Sequence, residues 1–169
     1  MTVRRDDITI RNQLRPGDLG KMVALHGTAY RDDDGHFGLV FEAFVARTIA
    51  EFILDNKGRG KVWLAELEGN LVALSAIVER KRGAETHGQL RWILADPIVR
   101  GLGLGKELVA AAIDHARAQG WQAVFLETTD GLDASMSIYE KLGFEVTHTE
   151  KQSLWLGENT VITMEMRLR

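Results

Sequence analysis

Arg100, Gly101, Gly103, Gly105 and Lys106 gather, within seven residues, the groups that hold a phosphate. They end the stretch Leu90-Arg-Trp-Ile-Leu-Ala-Asp-Pro-Ile-Val-Arg-Gly-Leu-Gly-Leu-Gly-Lys106, an apolar strand that turns at Pro97 into the start of a helix. The first amides of a helix have no intrahelical acceptor and lie at the positive end of its dipole, so they bind phosphate oxygens. Glycine lets a ligand approach the backbone and tolerates positive φ. Arg100 and Lys106 add positive charge on either side of the turn. A dinucleotide fingerprint, Gly-x-Gly-x-x-Gly, fails here, because Lys106 or Leu108 falls where its third glycine belongs. A Walker loop fails as well, with Arg100 in place of a glycine and Glu107 in place of Ser or Thr. The spacing that remains is Arg-x-x-Gly-x-Gly.

These residues need a strand before them and a helix behind them, and the surrounding pattern supplies both. Gln89 to Ala95 reads as the strand. Gly103 to Gln119 reads as the helix, with Leu104, Leu108, Ala111 and Ala112 on one face and Gly120 as its stop. Ala123-Val-Phe-Leu126 then reads as a buried parallel strand, joined to the first by a right-handed crossover. Upstream, Ile8, Ile10 and Leu14 alternate as a short strand, Asp18 is the expected N-cap of a helix from Leu19 to Tyr30, and Phe37 to Leu54 carries apolar residues at helical spacing. Lys61 to Leu67 and Leu71 to Glu79 form a hairpin around Glu68-Gly69-Asn70. Arg80 to Gly88 is polar and reads as an exposed turn. Downstream, Asp133 to Lys141 is a short helix, Gly143 its C-terminal turn, and Glu145 to Ser153 and Val161 to Leu168 the last strands.

At 169 residues and 45% hydrophobic, the chain is expected to be one domain, residues 1–169. It has no cysteine, which excludes a disulfide framework, a thiolate nucleophile and Cys-rich zinc sites. Neither a membrane-spanning run nor a leader peptide is visible, so a cytoplasmic protein is expected. A formal charge of −3, with both signs interspersed, argues against direct nucleic-acid binding. The five histidines lack ligand spacing and the acidic Arg31-Asp-Asp-Asp-Gly-His36 run does not fit a calcium loop, so no metal is expected.

Arg100-x-x-Gly103-x-Gly105 resembles the acyl-CoA pyrophosphate loop of the GCN5-related N-acetyltransferases, the GNAT superfamily. Tyr139-Glu-Lys-Leu-Gly-Phe144 looks like the family's second signature, at the end of its fourth helix. The order of elements is also similar along nearly the full chain. The resemblance implies an α/β (α+β) fold: a mixed, mostly antiparallel sheet of about seven strands, with splayed parallel fourth and fifth strands and about four flanking helices. Leu-Arg-Trp-x-Leu-x-Asp-Pro, Arg-Gly-Leu-Gly-Leu-Gly and Thr128-Thr-Asp130 further resemble the acetyltransferase half of bacterial MarR–GNAT fusion proteins, without the winged-helix half.

The resemblance implies acetyl-CoA as cosubstrate and an amine as acceptor. Ile93, Leu94 and Ala95 would offer backbone groups to pantetheine, with Ala95 standing where the family more often has Val. The amides of Arg100, Gly101, Leu102, Gly103, Leu104, Gly105 and Lys106 would surround the pyrophosphate. Leu132 replaces a frequent Asn that bonds to the pantetheine arm, and Ser135 or Ser137 would substitute. Tyr139 matches the family's general acid, since a phenol with a pKa of about 10 stays protonated at neutral pH. A backbone amide near Ala95 would stabilise the carbonyl oxygen. For the base, Glu127 is the first choice among Glu127, Thr128, Glu79, His87 and His36. Asp32, Asp33 and Asp34 beside His36 are expected to favour a cationic acceptor. The function implied is N-acetyl transfer by direct attack; the alternative is a catalytically silent acyl-CoA-binding module that senses cofactor or pairs with a regulator. A homodimer is left open.

Overall fold

The structure, a computed structural model, describes residues 2–30, 37–130, 133–154 and 157–169. Among them the order is β1 (Ile8–Arg11), α1 (Asp18–Ala29), α2 (Leu39–Asp55), β2 (Lys61–Leu67), β3 (Asn70–Arg82), β4 (Glu85–Ala95), α3 (Leu104–Ala118), β5 (Ala123–Thr129), α4 (Asp133–Leu142), β6 (Glu145–Leu154) and β7 (Gly157–Arg167). The strands form one sheet in the order β1-β2-β3-β4-β5-β7-β6. Every neighbouring pair is antiparallel except β4 and β5, which α3 connects in parallel. This is the mixed α/β architecture that the resemblance implies, with its parallel pair at the expected strands.

Two apolar clusters hold the sheet from opposite faces. One joins α3, through Leu104, Leu108, Val109 and Ala112, to Ile77, Leu90, Val124 and Leu126, and takes in Tyr139 and Phe144. The other joins α1 and α2 to Leu64, Leu74, Ala76, Trp92 and Leu94. In α2 the buried residues Phe41, Val45, Ile49 and Phe52 recur at steps of four and three, so one stripe faces the sheet. Full burial of each such side chain contributes roughly 1.5–3 kcal/mol. Ser75, buried between β3 and α3, keeps its hydroxyl satisfied by donating to the Leu108 carbonyl at 3.1 Å.

Several expected boundaries are corrected. Arg80–Gly88 is not an exposed turn: β3 runs to Arg82, β4 starts at Glu85, and only two residues separate them. The polar side chains there pair across strands, while Arg80, Lys81 and Arg82 remain exposed. Arg80 donates to Gln89 at 2.7 Å, Lys81 to Thr86 at 2.6 Å, and Arg82 lies 3.7 Å from the centre of the Phe125 ring. Asp18 is the first residue of α1 and not its cap; Gly17, at φ 96°, holds that position. Asp18 is buried because Arg11 donates to both its carboxylate oxygens, at 2.8 and 2.7 Å. Arg11 also reaches Glu66 at 2.8 Å, which ends β1 at Arg11 and not at Leu14. At the other end β7 begins at Gly157 and not Val161, as the ladder with β6 extends to Leu154↔Gly157.

The central feature is a fork between β4 and β5. They pair only at His87↔Ala123, Gly88↔Val124 and Gln89↔Phe125. Beyond Gln89, β4 stays with β3 as far as Ala95, while β5 stays with β7 as far as Thr129. The cause lies in β4, where Trp92 and Ile93 together oppose Ser75 and Trp92 has φ 51°. Such a bulge bends its strand and increases local twist, aiming the rest of β4 away from β5. A left-handed Trp is strained by roughly 1–2 kcal/mol. Its ring is held nevertheless, by an Nε1–H bond to Thr48 at 3.2 Å and an edge contact with Phe52.

Candidate active site

The fork opens a cavity of about 460 Å³. From the sheet it is lined by Gln89, Arg91, Trp92 and Ile93 on β4 and by Glu127 and Thr128 on β5. Ser135 and Tyr139 of α4, His26 of α1, and Phe41 and Phe44 of α2 also line it. The expected acid Tyr139, the expected base Glu127, and Ser135 are therefore brought to one space, although they come from different elements. Of the three expected pantetheine residues, Ile93 borders the cavity; Leu94 is buried toward α2, and Ala95 is half-buried at the end of β4.

The glycine turn lies just past that end. Asp96 caps a single 3₁₀ turn, Pro97–Val99, by accepting from the Ile98 amide at 2.9 Å. Gly101 and Gly103 then take φ of 81° and 77°, which explains glycine at both positions. The first backbone bond of α3 runs from Glu107 N–H to the Gly103 carbonyl. The amides of residues 101–106 accordingly have no acceptor among the described residues. Leu102 and Leu104 anchor the turn by packing into the α3 cluster, while Arg100 and Lys106 are exposed. Arg100 Nε also donates to the Ala95 carbonyl at 3.3 Å, tying the turn to the strand. Glu107 would oppose an anion, but Arg5 engages both its oxygens at 2.8 and 2.7 Å. That pairing lowers the Glu107 pKa and leaves the mouth of α3 electropositive. Unpaired amides, two left-handed glycines and exposed cations fit a pyrophosphate, and the unpaired edge of β4 beyond Gln89 fits an extended arm bearing amides.

Tyr139 is 5% exposed and packs edge-on to Phe144. Its hydroxyl makes no hydrogen bond with a described residue. Burial, with a smaller effect of Tyr30, holds the phenol well above its ordinary pKa, so it stays protonated. Glu127 is exposed to the cavity and has no ion-pair partner among the described residues. The remaining candidates for a base divide clearly. Thr128 lines the cavity. Glu79 pairs with Arg59, and His87 lies at the closed end of the fork with its Nε2 2.6 Å from Glu85, so neither faces it. His36, Asp32, Asp33, Asp34 and Leu132 lie outside the described residues. Ser137 is half-buried on α4, away from the lining.

Two lining residues are not evident from sequence. His26 is buried on α1, and desolvation lowers its pKa to about 4, so the ring is neutral. Its Nδ1 lies 2.8 Å from the Met22 carbonyl and donates to it, which leaves Nε2 as an acceptor. Arg91 is a half-buried charge that interrupts the apolar run from Leu90 to Ala95 of β4. That interruption was its only signal.

Comparison with known proteins agrees with this architecture. Residues 27–144 match the family model described as Acetyltransferase (GNAT) family. The chain belongs to that family. Among curated relatives, it is 31% identical over 140 residues to a mycothiol acetyltransferase of Thermomonospora curvata, covering 82% of this chain and 44% of that protein. It is 35% identical over 83 residues to the N-acetyltransferase YjgM of Escherichia coli (strain K12), covering 49% of this chain and 50% of that one. The chain thus spans about half the length of these relatives. Among solved structures, an acetyltransferase from Salmonella typhimurium with its cofactor acetyl-CoA superposes with TM-score 0.71 at 20% identity, covering 96% of this chain and 95% of the other. At that identity the likeness shows the fold. Among the described residues, no helix is long and apolar enough to cross a membrane.

Proposed function

We propose that the chain transfers an acetyl group from acetyl-CoA to a primary amine by direct attack. The observation that carries this reading is the meeting of the β4/β5 fork, the unpaired amide turn at its end and Tyr139 in its wall. Acetyl-CoA supplies the activated carbonyl: the amine nitrogen forms the C–N bond as the C–S bond breaks. The amides of residues 101–106, with the side chains of Arg100 and Lys106, bind the pyrophosphate, the Arg100 amide being already taken by the Pro97 carbonyl, while the backbone of Ile93, Leu94 and Ala95 holds pantetheine and Ser135 supplements it. A backbone amide of the splayed half of β4 donates to the carbonyl oxygen as it gains charge. Glu127 takes the proton that the attacking nitrogen loses, and Tyr139 gives its proton to sulfur.

We read residues 1–169 as one domain, because the single sheet takes in both β1 and β7. Supply of acetyl-CoA places the reaction in the cytoplasm. The resemblance of the 90–106 stretch supports a place beside the MarR–GNAT acetyltransferase halves. Two assays test the function. Acetyl-CoA should raise the melting temperature while NAD and ATP do not, with about 2.7 kcal/mol gained at 100 times the dissociation constant. Thiol release from acetyl-CoA should require an amine. Tight CoA binding without release for any amine would favour the sensing module instead.

A further inference from the structure

Among the described residues the charge of Arg91 has no hydrogen-bonding or ion-pair partner. Yet the side chain is half-buried. Partial burial weakens the hydration of such a charge, so a ligand that supplies an acceptor there gains more than it would in open water. The guanidinium is also prepared for one. Its Cζ lies over the Trp92 ring, 5.0 Å from the centre, and that ring is fixed by Thr48 and Phe52. This cation–π contact restrains the side chain while no described residue takes its N–H donors, which suit a planar, bidentate acceptor.

Position makes those donors useful. Arg91 borders the cavity that holds Glu127 and Tyr139, and also a neighbouring one of about 450 Å³ that Arg80 borders. Burial lowers the Arg91 pKa and the nearby positive charge of Arg80 lowers it further, while Arg80's own Nε is taken by Gln89. The carboxylates whose fields reach Arg91 are Glu127 and Glu51; Glu51 is already 3.9 Å from Arg47, and Glu127 stands across the cavity. The space between Arg91 and Glu127 thus offers a cation at one side and a carboxylate at the other, against an aromatic wall that includes Trp92 and Phe41.

We propose that Arg91 binds the carboxylate of the acceptor, so that the amine acetylated here is that of a free α-amino acid with an apolar side chain. This rests on the acetyl-transfer reading of the cavity. In that pose Glu127 faces the amino group, and the aromatic wall covers the side chain.

The test compares L-leucine, L-methionine and L-phenylalanine with their methyl esters as acceptors for acetyl-CoA. The free acids should have KM values about 10–100-fold below the esters, the worth of a hydrogen-bonded charge. R91M should raise KM for the acids by the same factor, leaving the esters and acetyl-CoA unmoved. R91K, which keeps charge without the fork, should fall between. Equal KM for acids and esters in the wild type, or an equal rise for both in R91M, overturns the proposal. So does efficient transfer to 2-phenylethylamine or a polyamine with none to the acids, an outcome that leaves acetyl transfer standing. Binding of N-acetyl-L-phenylalanine and its methyl ester, followed by tryptophan fluorescence, decides the anchor without turnover: the acid should bind about 10-fold tighter or more, and equal binding overturns it. Absence of both CoA binding and thiol release would instead sink the acetyl-transfer reading.

Discussion

Replacing Tyr139 by Phe separates chemistry from packing, because among the described residues the hydroxyl has no partner that would make it matter for stability. The ring is 5% exposed and rests on Phe144, contacts that Phe retains. The hydroxyl makes no hydrogen bond with a described residue, so no partner is orphaned by its loss. Stability should therefore change by less than about 1 kcal/mol. Turnover should fall by about 10²–10⁴-fold, the usual contribution of a positioned general acid. That fall corresponds to about 2.7–5.5 kcal/mol at the transition state. Acetyl-CoA affinity should be almost unmoved, since the interaction is made mainly in the transition state. Because burial holds the phenol above its ordinary value, wild-type turnover should show no alkaline fall from Tyr139 below about pH 10. The assay is steady-state thiol release beside a pre-steady-state burst measurement, with equilibrium unfolding as control. Near-normal turnover in Y139F, with chemistry shown to be rate-limiting, would refute the role and leave Tyr139 as a packing residue.

Three further outcomes follow from the geometry. Gly103→Asp should weaken acetyl-CoA binding by about 10–100-fold in calorimetry, because a carboxylate then faces the unpaired amides; Gly103→Ala, which carries the left-handed strain of roughly 1–2 kcal/mol without charge, is the control. Unchanged affinity in the Asp variant would make the loop only a turn. Arg11→Leu should cost about 3 kcal/mol in urea unfolding, since it strands the buried Asp18 and the half-buried Glu66, and a loss below about 1 kcal/mol would contradict that account. His26, lowered to about 4 from 6.5 by burial, binds a proton more readily when unfolded. Its contribution is complete above pH 6.5 and is lost as pH falls toward 4, by about 3 kcal/mol in all. His26→Gln should flatten that part of the stability profile; an unchanged slope would assign it elsewhere.

What could be read from sequence was local or periodic. The turn at Gly101 and Gly103 was legible because only glycine accepts those φ values cheaply, and the helix behind it because its apolar residues recur at helical spacing. The α2 stripe was legible for the same reason. Failures occurred where distant partners override local preference. Arg80 to His87 looked like a solvated turn until Gln89 and Phe125 on other strands, and Glu85 beside His87 on β4, supplied partners. Asp18 looked like a cap until Arg11 and Glu66 drew it into an ion network.

The sequence by itself determined a strand, a glycine turn and a helix with phosphate-binding chemistry, and a Tyr helix further on. Only the tertiary structure decided that these enclose one cavity. The fork depends on a bulge at Trp92, a conformation that no local signal in Leu-Arg-Trp-Ile predicts, since a left-handed tryptophan persists only when Thr48 and Phe52 of α2 hold its ring. That bulge turns β4 from β5, opens the space between Glu127 and Tyr139, and brings the guanidinium of Arg91 to its edge. Residues far apart in the chain become one site because burial and pairing, which are properties of the whole sheet, set where each strand stops following its neighbour.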